Sequence, residues 1–222
     1  KAWSINQLTK KALCKESTGK GYDLIILTAQ SYEGLIYDIP ATLFHLLNSG
    51  ISTRKFFIDE AWGSLNYFNE KTRPLTAMSI DHIIDAYPDL EVICTHSAHK
   101  SLFCLRQASL IHCKGKAQLA SKIEVAKFRI HTTSPNYPIL ASLDMSQSCM
   151  HKYGKELALH AQKLAISFKD SLTHDPLLSP LNTNFNLFPE QWHIYHDPTK
   201  VMINTEHLDN AAIIKAKLLK KN

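Results

Sequence analysis

Four short apolar runs punctuate the first half of the chain, at residues 24–28, 56–59, 92–95 and 108–112. Each is mainly apolar rather than alternating, which predicts buried strands of the kind found in parallel sheets. Helical spacing fills the gaps between them. Asp38 and Pro40 make a helix start, Leu43, Phe44, Leu46 and Leu47 supply a buried face, and Asn48 to Gly50 make a stop. A second helix is predicted over 79–87, before Pro88. Strand, helix and strand at this spacing imply right-handed crossovers and an α/β fold, a largely parallel sheet with helices on its faces.

The second half reads differently. Asp144 can cap a long helix that runs to about Leu172, with Tyr153, Leu157, Ala161, Leu164, Ala165 and Phe168 on one face. Residues 173–186 are rich in Pro, Ser, Thr and Asn and read as a linker or extended crossing. A strand is predicted at 200–203 and a helix at 207–219. The organisation expected is a large domain over 1–172, a crossing over 173–195, and the beginning of a smaller α+β domain over 196–222. No internal repeat or low-complexity tract interrupts this order.

Charge changes the picture little. Lys and Arg exceed Asp and Glu by 25 to 20, and the surplus forms no block of the kind a nucleic-acid arm shows. Lys215, Lys217, Lys220 and Lys221 read as a solvated helix face, so no nucleic acid is expected. The five cysteines are odd in number and include no CxxC pair, which points to reduced thiols and a cytoplasmic setting. No stretch approaches the roughly 20 apolar residues of a membrane helix, and no membrane partner is expected.

The strongest chemical signal is a pair of segments, FFIDEAWG at 56–63 and THSAHKSL at 95–102. Asp59 falls at the carboxyl end of one predicted strand, and Lys100 just beyond the carboxyl end of the next. Ligands of parallel sheets gather at that edge, so both side chains can meet in one crevice. Taken singly, each is an ordinary loop charge. Their flanks give them meaning. The segments LTAQSYEGLIYD (27–38), FIDEAW (57–62), SAHKSL (97–102) with QASLIH (107–112), HTTSPNYPILASLD (131–144) and HDPTKVMI (196–203) follow one another along the chain. In that order the sequence resembles the fold-type-I, pyridoxal-phosphate-dependent decarboxylases of ornithine, lysine and arginine over nearly its whole length.

The resemblance implies that residues 1–172 are part of a cofactor-binding large domain. It makes Lys100 the lysine that holds pyridoxal 5'-phosphate and Asp59 the partner of the pyridine nitrogen, with an aspartate there keeping the ring an electron sink. Ala61 would pack against the ring face. Trp62 stands where many members carry histidine, and tryptophan there is typical of the inducible bacterial branch associated with acid resistance and polyamine formation. Ser97 and His99 match residues at the phosphate and the reacting carbon, His99 being a catalytic candidate beside Lys100. Thr132, Thr133 and Ser134 match a loop that reaches a neighbouring subunit's site, implying a homodimer or larger homo-oligomer. YPILASLD, with Met150 and His151 following, looks nearer the ornithine and arginine branches than the lysine branch.

Departures from the family pattern lead to a further expectation. The family's phosphate cup precedes these motifs, the seven glycines make no Gly-Thr-Ser loop, the chain opens on Lys1, and the small domain breaks off after Leu219. The chain is therefore expected to be a middle section of a decarboxylase, or else a non-catalytic chain that assembles with or regulates a complete one. Other motifs are weaker. His96 and His99, with His112 and Cys113, can be drawn as a zinc set, and His193 and His196 repeat the HxxH spacing, but ordinary polar histidines explain them and no metal is expected. STGKG at 17–21 lacks P-loop spacing, and no GxSxG elbow supports a serine hydrolase. Tyr32 and Tyr37 are either site-lining or packing residues.

Overall fold

The computed structural model describes residues 3–131, 134–173, 179–181 and 193–204. Helix α1 (Ile5–Glu16) starts at Ser4, whose hydroxyl accepts from the Gln7 amide. Strands β1 (Ile25–Thr28) and β2 (Leu35–Tyr37) follow. Helix α2 (Ile39–Asn48) begins where the sequence predicts: the Asp38 carboxylate accepts from the Ala41 amide and Pro40 sits in the first turn. Strand β3 (Lys55–Asp59), helix α3 (Asp81–Ala86), strand β4 (Glu91–His96) and strand β5 (Leu110–Lys114) complete the first half. Beyond them lie helices α4 (Leu119–Ile130) and α5 (Tyr137–Leu172), then the short strands β6 (Ser179–Pro180), β7 (Ile194–His196) and β8 (Ile203–Asn204).

The main sheet has the order β1-β3-β4-β5. The β1–β3 and β3–β4 pairs are parallel, as expected, whereas β5 runs antiparallel to β4. It also starts two residues later than the apolar run, because Ala108 is spent in the preceding turn, where its carbonyl holds His99. Leu27, Phe56, Ile58, Val92 and Cys94 are buried with the apolar face of α2 and with Ile80 and Ile83. The opposite face of the sheet is more open: Ile26 is 66% and Ile111 51% exposed. Helices therefore cover one face, not both, among the described residues.

Helix α5 departs from expectation at its start. Asn136, not Asp144, caps it, accepting from the Ile139 amide with Pro138 in the first turn, and Asp144 lies inside the helix. Its inward face also differs. Met150, Gly154, Ala158, Ala165 and Leu172 are buried, while Tyr153, Leu164 and Phe168 of the predicted face are exposed. Gly154 explains the choice: the Phe68 ring packs where a β-carbon would stand. That contact ties α5 to the 3-10 turn Asn66–Phe68.

The expected boundary between 195 and 196 falls inside β7, which pairs antiparallel with β2. Neither strand was predicted, and the predicted strand at 200–203 is displaced to β8. The first expected domain is thus joined here to the crossing and to the segment after it: Asp38 donates its amide to the His193 carbonyl and Asp197 to the Gly34 carbonyl. The predicted helix at 207–219 and most of the 173–195 crossing lie outside the described residues. All five cysteines are free thiols, and no described helix is long and apolar enough to cross a membrane.

The β2–β7 junction carries a pH prediction. His196 is 1% exposed and its Nε2 has no hydrogen-bond partner among the described residues. Burial, and then the nearby Lys169 ammonium, push its pKa below the ordinary 6.5, against a smaller pull from Asp197. The unfolded chain therefore binds this proton first. Stability is unaffected above about 6.5 and falls as the pH drops below it, by at most roughly 1.4 kcal/mol per unit until the folded-state value is passed. Urea unfolding at pH 7.5 and 5.5 should show the loss, and His196→Gln should flatten it. An equal slope in His196→Gln would assign the effect to other groups.

Candidate functional site

Asp59 ends β3 and pairs in register with Thr95 of β4, so the two loops that follow leave the same edge of the sheet. The loops are stitched together at once. Glu60 donates its amide to the Thr95 carbonyl at 3.1 Å, and Ser97 donates its own to the Ala61 carbonyl at 3.3 Å. Asp59 is half-buried, and its Oδ1 accepts from the Ala61 amide at 3.1 Å. Lys100 closes a 3-10 turn, Ala98–Lys100, that starts beyond β4. It is exposed, and its ammonium lies 4.3 Å from the centroid of the Trp62 ring. Sequence reading thus located the edge, and the structure joins Asp59, Ala61, Trp62, Ser97 and Lys100 there through neighbouring contacts.

His99 is half-buried, with Nδ1 2.9 Å from the Ala108 carbonyl. A carbonyl only accepts, so Nδ1 carries the proton and Nε2 keeps the lone pair in the neutral ring. Ser134 is exposed, and Thr132 and Thr133 lie outside the described residues. The zinc set drawn from His96, His99, His112 and Cys113 is not assembled. His99 is held by the Ala108 carbonyl, and strand alternation turns Cys113 away from His112.

Several residues at the edge escaped the sequence reading. Lys200 brings a second ammonium to within 5.0 Å of the Trp62 ring centroid, where Tyr32, already read as site-lining or packing, meets that ring edge-on at 5.1 Å. Behind them, Gln30 donates to Asp197 at 2.7 Å and accepts from Asn66 at 2.8 Å, all three side chains being buried. Asp197 in turn accepts from the Thr199 amide and hydroxyl. Gly34, at φ +96°, makes the tight turn that lets Lys200 approach; a β-carbon would stand 2.9 Å from the Lys200 Cγ. The segments LTAQSYEG, FIDEAW and HDPTK, distant in sequence, therefore share one network. Their joint presence was the only signal that could have revealed it.

The family model for the Orn/Lys/Arg decarboxylase major domain matches residues 4–217. The chain belongs to the Orn/Lys/Arg decarboxylase family. It is 27% identical over 209 residues to the constitutive lysine decarboxylase of Escherichia coli K12, an alignment covering 83% of this chain and 28% of that protein. It is 31% identical over 169 residues to the biodegradative arginine decarboxylase of the same strain, covering 75% of this chain and 22% of that protein. The chain thus spans under a third of the length of these relatives. The solved lysine decarboxylase of Francisella novicida superposes with a TM-score of 0.74 at 21% identity, over 97% of this chain and 33% of that one. That likeness shows the fold, an α/β large domain with a mainly parallel sheet, as the family resemblance implied.

The edge also fits a phosphate-bearing aldehyde cofactor of the pyridoxal type. It offers an accessible amine at Lys100, a half-buried carboxylate at Asp59 and a second cation at Lys200 for an anionic group. A cavity of about 700 Å³ lies elsewhere: Glu60, His96 and His112 line it from the other face of the sheet, beneath α5. None of the predicted site residues reaches it.

Proposed function

We propose that this family member is a pyridoxal-phosphate-dependent carboxy-lyase acting on a basic amino acid. The observation that carries the reading is the placement of Asp59 and Lys100 at the carboxyl ends of adjacent parallel strands, in a chain that belongs to this family. When bound, the cofactor supplies an electron sink for the pair left behind as the substrate carboxylate departs as CO2. Lys100 would be the residue that holds the cofactor, through its amine. Asp59 would hold a proton on the ring nitrogen, and its bond from the Ala61 amide fixes the carboxylate's orientation. Ala61 and Trp62 would bound the ring, Ser97 would serve the phosphate, and His99 would present Nε2 as a proton carrier, its ring pinned by Ala108.

Thr132, Thr133 and Ser134 are assigned to a neighbouring subunit's site, so the active site is shared across a homodimer or larger assembly. The exposed apolar side chains flanking that loop support this, since Phe128 is 74%, Ile130 88% and Tyr137 72% exposed. The five free thiols suit a reducing, cytoplasmic compartment. Relatives are named for lysine and for arginine. They support the basic amino acid class and give no support to the leaning toward arginine or ornithine.

The test is CO2 release by protein purified from its natural source, with pyridoxal phosphate added, from lysine, arginine, ornithine and the uncharged norleucine. Release from at least one basic substrate, with the matching amine formed and none from norleucine, is expected. No release from any would overturn the enzyme reading in favour of a non-catalytic partner of a complete decarboxylase. Light scattering on the same preparation should give a dimer mass or larger, and an active monomer would remove the shared site.

A further inference from the structure

Alternation along β3 and β4 sends Asp59 to one face of the sheet and its neighbours to the other. Glu60 continues the buried face of Phe56 and Ile58; Cys94 and His96 follow Val92 on the same face. The antiparallel register then sets His112 directly opposite Cys94. Three ligating atoms gather here within 4.8 Å of one another, from Glu60, Cys94 and His96. The His96 Nε2 lies 2.9 Å from the Glu60 Oε2, and the Cys94 thiol donates to the same oxygen at 3.2 Å. Glu60 is 2% and Cys94 0% exposed.

We propose that Glu60, Cys94 and His96 form a binding site for a divalent transition cation of the zinc type, with its fourth position opening toward the cavity beneath α5. Four observations support it. Two carry over directly from chemistry: thiolate, imidazole and carboxylate together select zinc-like cations over magnesium or calcium, and three protein ligands with one open position make a tetrahedral site of the reactive kind. The third is charge. A dication with one carboxylate, one thiolate and one neutral imidazole sums to zero, which is what a buried location requires. The fourth is the cavity itself. Along that cavity, the His112 Nε2, Ser64 Oγ and Ser146 Oγ are buried, without hydrogen-bond partners among the described residues. Such atoms suit a metal-bound water or anion in the fourth position.

Binding replaces the Cys94 proton by the metal: the S–H bond breaks, a metal–sulfur bond forms, and one proton leaves to solvent. Metal–ligand bonds of about 2.0–2.3 Å place tetrahedral ligand atoms roughly 3.3–3.8 Å apart, so the present separations need only small side-chain rotations. The site is independent of the proposed decarboxylation, because Asp59 and Lys100 are not among its ligands.

Cobalt(II) is the probe. Titrated into the full chain under reducing conditions, it should bind in a one-to-one ratio and produce the near-ultraviolet charge-transfer band of cobalt–thiolate ligation, lost on adding zinc. Cys94→Ala, with the other four thiols intact, should abolish the band, and Glu60→Gln should weaken binding about 10-fold or more. Cys94→Ser provides a check on folding, since it keeps the side chain's size and should retain far-ultraviolet dichroism while losing the band. Absence of the band in the unaltered chain, or its persistence in Cys94→Ala or Cys94→Ser, overturns the site and leaves Glu60 and His96 as a hydrogen-bonded pair.

Discussion

Replacing Lys100 by alanine is expected to lower the rate of CO2 release by at least about 10²–10⁴-fold, the usual contribution of a side chain that transfers protons at the reacting centre, with loss of the covalent anchor adding to it. The structure also supplies a purely physical role for this residue. Its ammonium lies over the Trp62 ring at 4.3 Å, a cation–π contact of about 0.5–1 kcal/mol at an exposed position. Arginine separates the two roles. Lys100→Arg keeps a cation for Trp62 but has no free amine, because a guanidinium stays protonated throughout the accessible pH range. If Lys100 acts through its amine, both variants fail and a small added alkylamine restores part of the Lys100→Ala activity. If it acts only on Trp62, Lys100→Arg works nearly as well as the unaltered protein and added amine changes nothing. The second pattern would remove Lys100 from the chemistry.

Legibility in the sequence followed the range of the interactions. Strands β1, β3 and β4 were readable because their runs are buried and apolar, and α2 because Asp38 and Pro40 announce it within three residues. The start of α5 was misplaced because both Asn136 and Asp144 can cap, and only the structure shows which amide is served. Its inward face was misread for a different reason. Large apolar residues of the predicted face, Leu164 and Phe168, are exposed, and the small Gly154 and Ala158 allow close approach to the loop below. Pairing of β2 with β7 joins three-residue strands roughly 160 residues apart, which leaves no local periodicity to detect. The Asp59–Lys100 edge was legible because strand ends can be read from apolar runs. The Glu60, Cys94 and His96 cluster was missed because the histidines were counted along the chain as HxxH spacings. The informative spacing was the i, i+2 step of Cys94 and His96, with Glu60 one strand over.

Asp59→Asn should slow decarboxylation by orders of magnitude while leaving the fold intact. Asparagine keeps an acceptor oxygen for the Ala61 amide, which Asp59 now holds at 3.1 Å, so the turn after β3 should survive. What asparagine lacks is the negative charge that holds a proton on the ring nitrogen of the bound cofactor. Breaking one side of a buried ion pair commonly costs about 3–5 kcal/mol, and at about 1.4 kcal/mol per decade that is roughly a 10²–10³·⁵-fold loss in rate. Asp59 is half-buried, not enclosed, so solvent screening favours the lower part of that range. The contrast with Lys100→Ala is qualitative: in Asp59→Asn the amine is present, so added alkylamine should give no rescue and the covalent link to the cofactor should still form. Single-turnover CO2 release at saturating cofactor, with unfolding by urea measured in parallel, distinguishes chemistry from folding. A rate close to that of the unaltered protein would make Asp59 a loop cap for Ala61 and nothing more, and would withdraw the carboxylate on which the proposed electron sink depends.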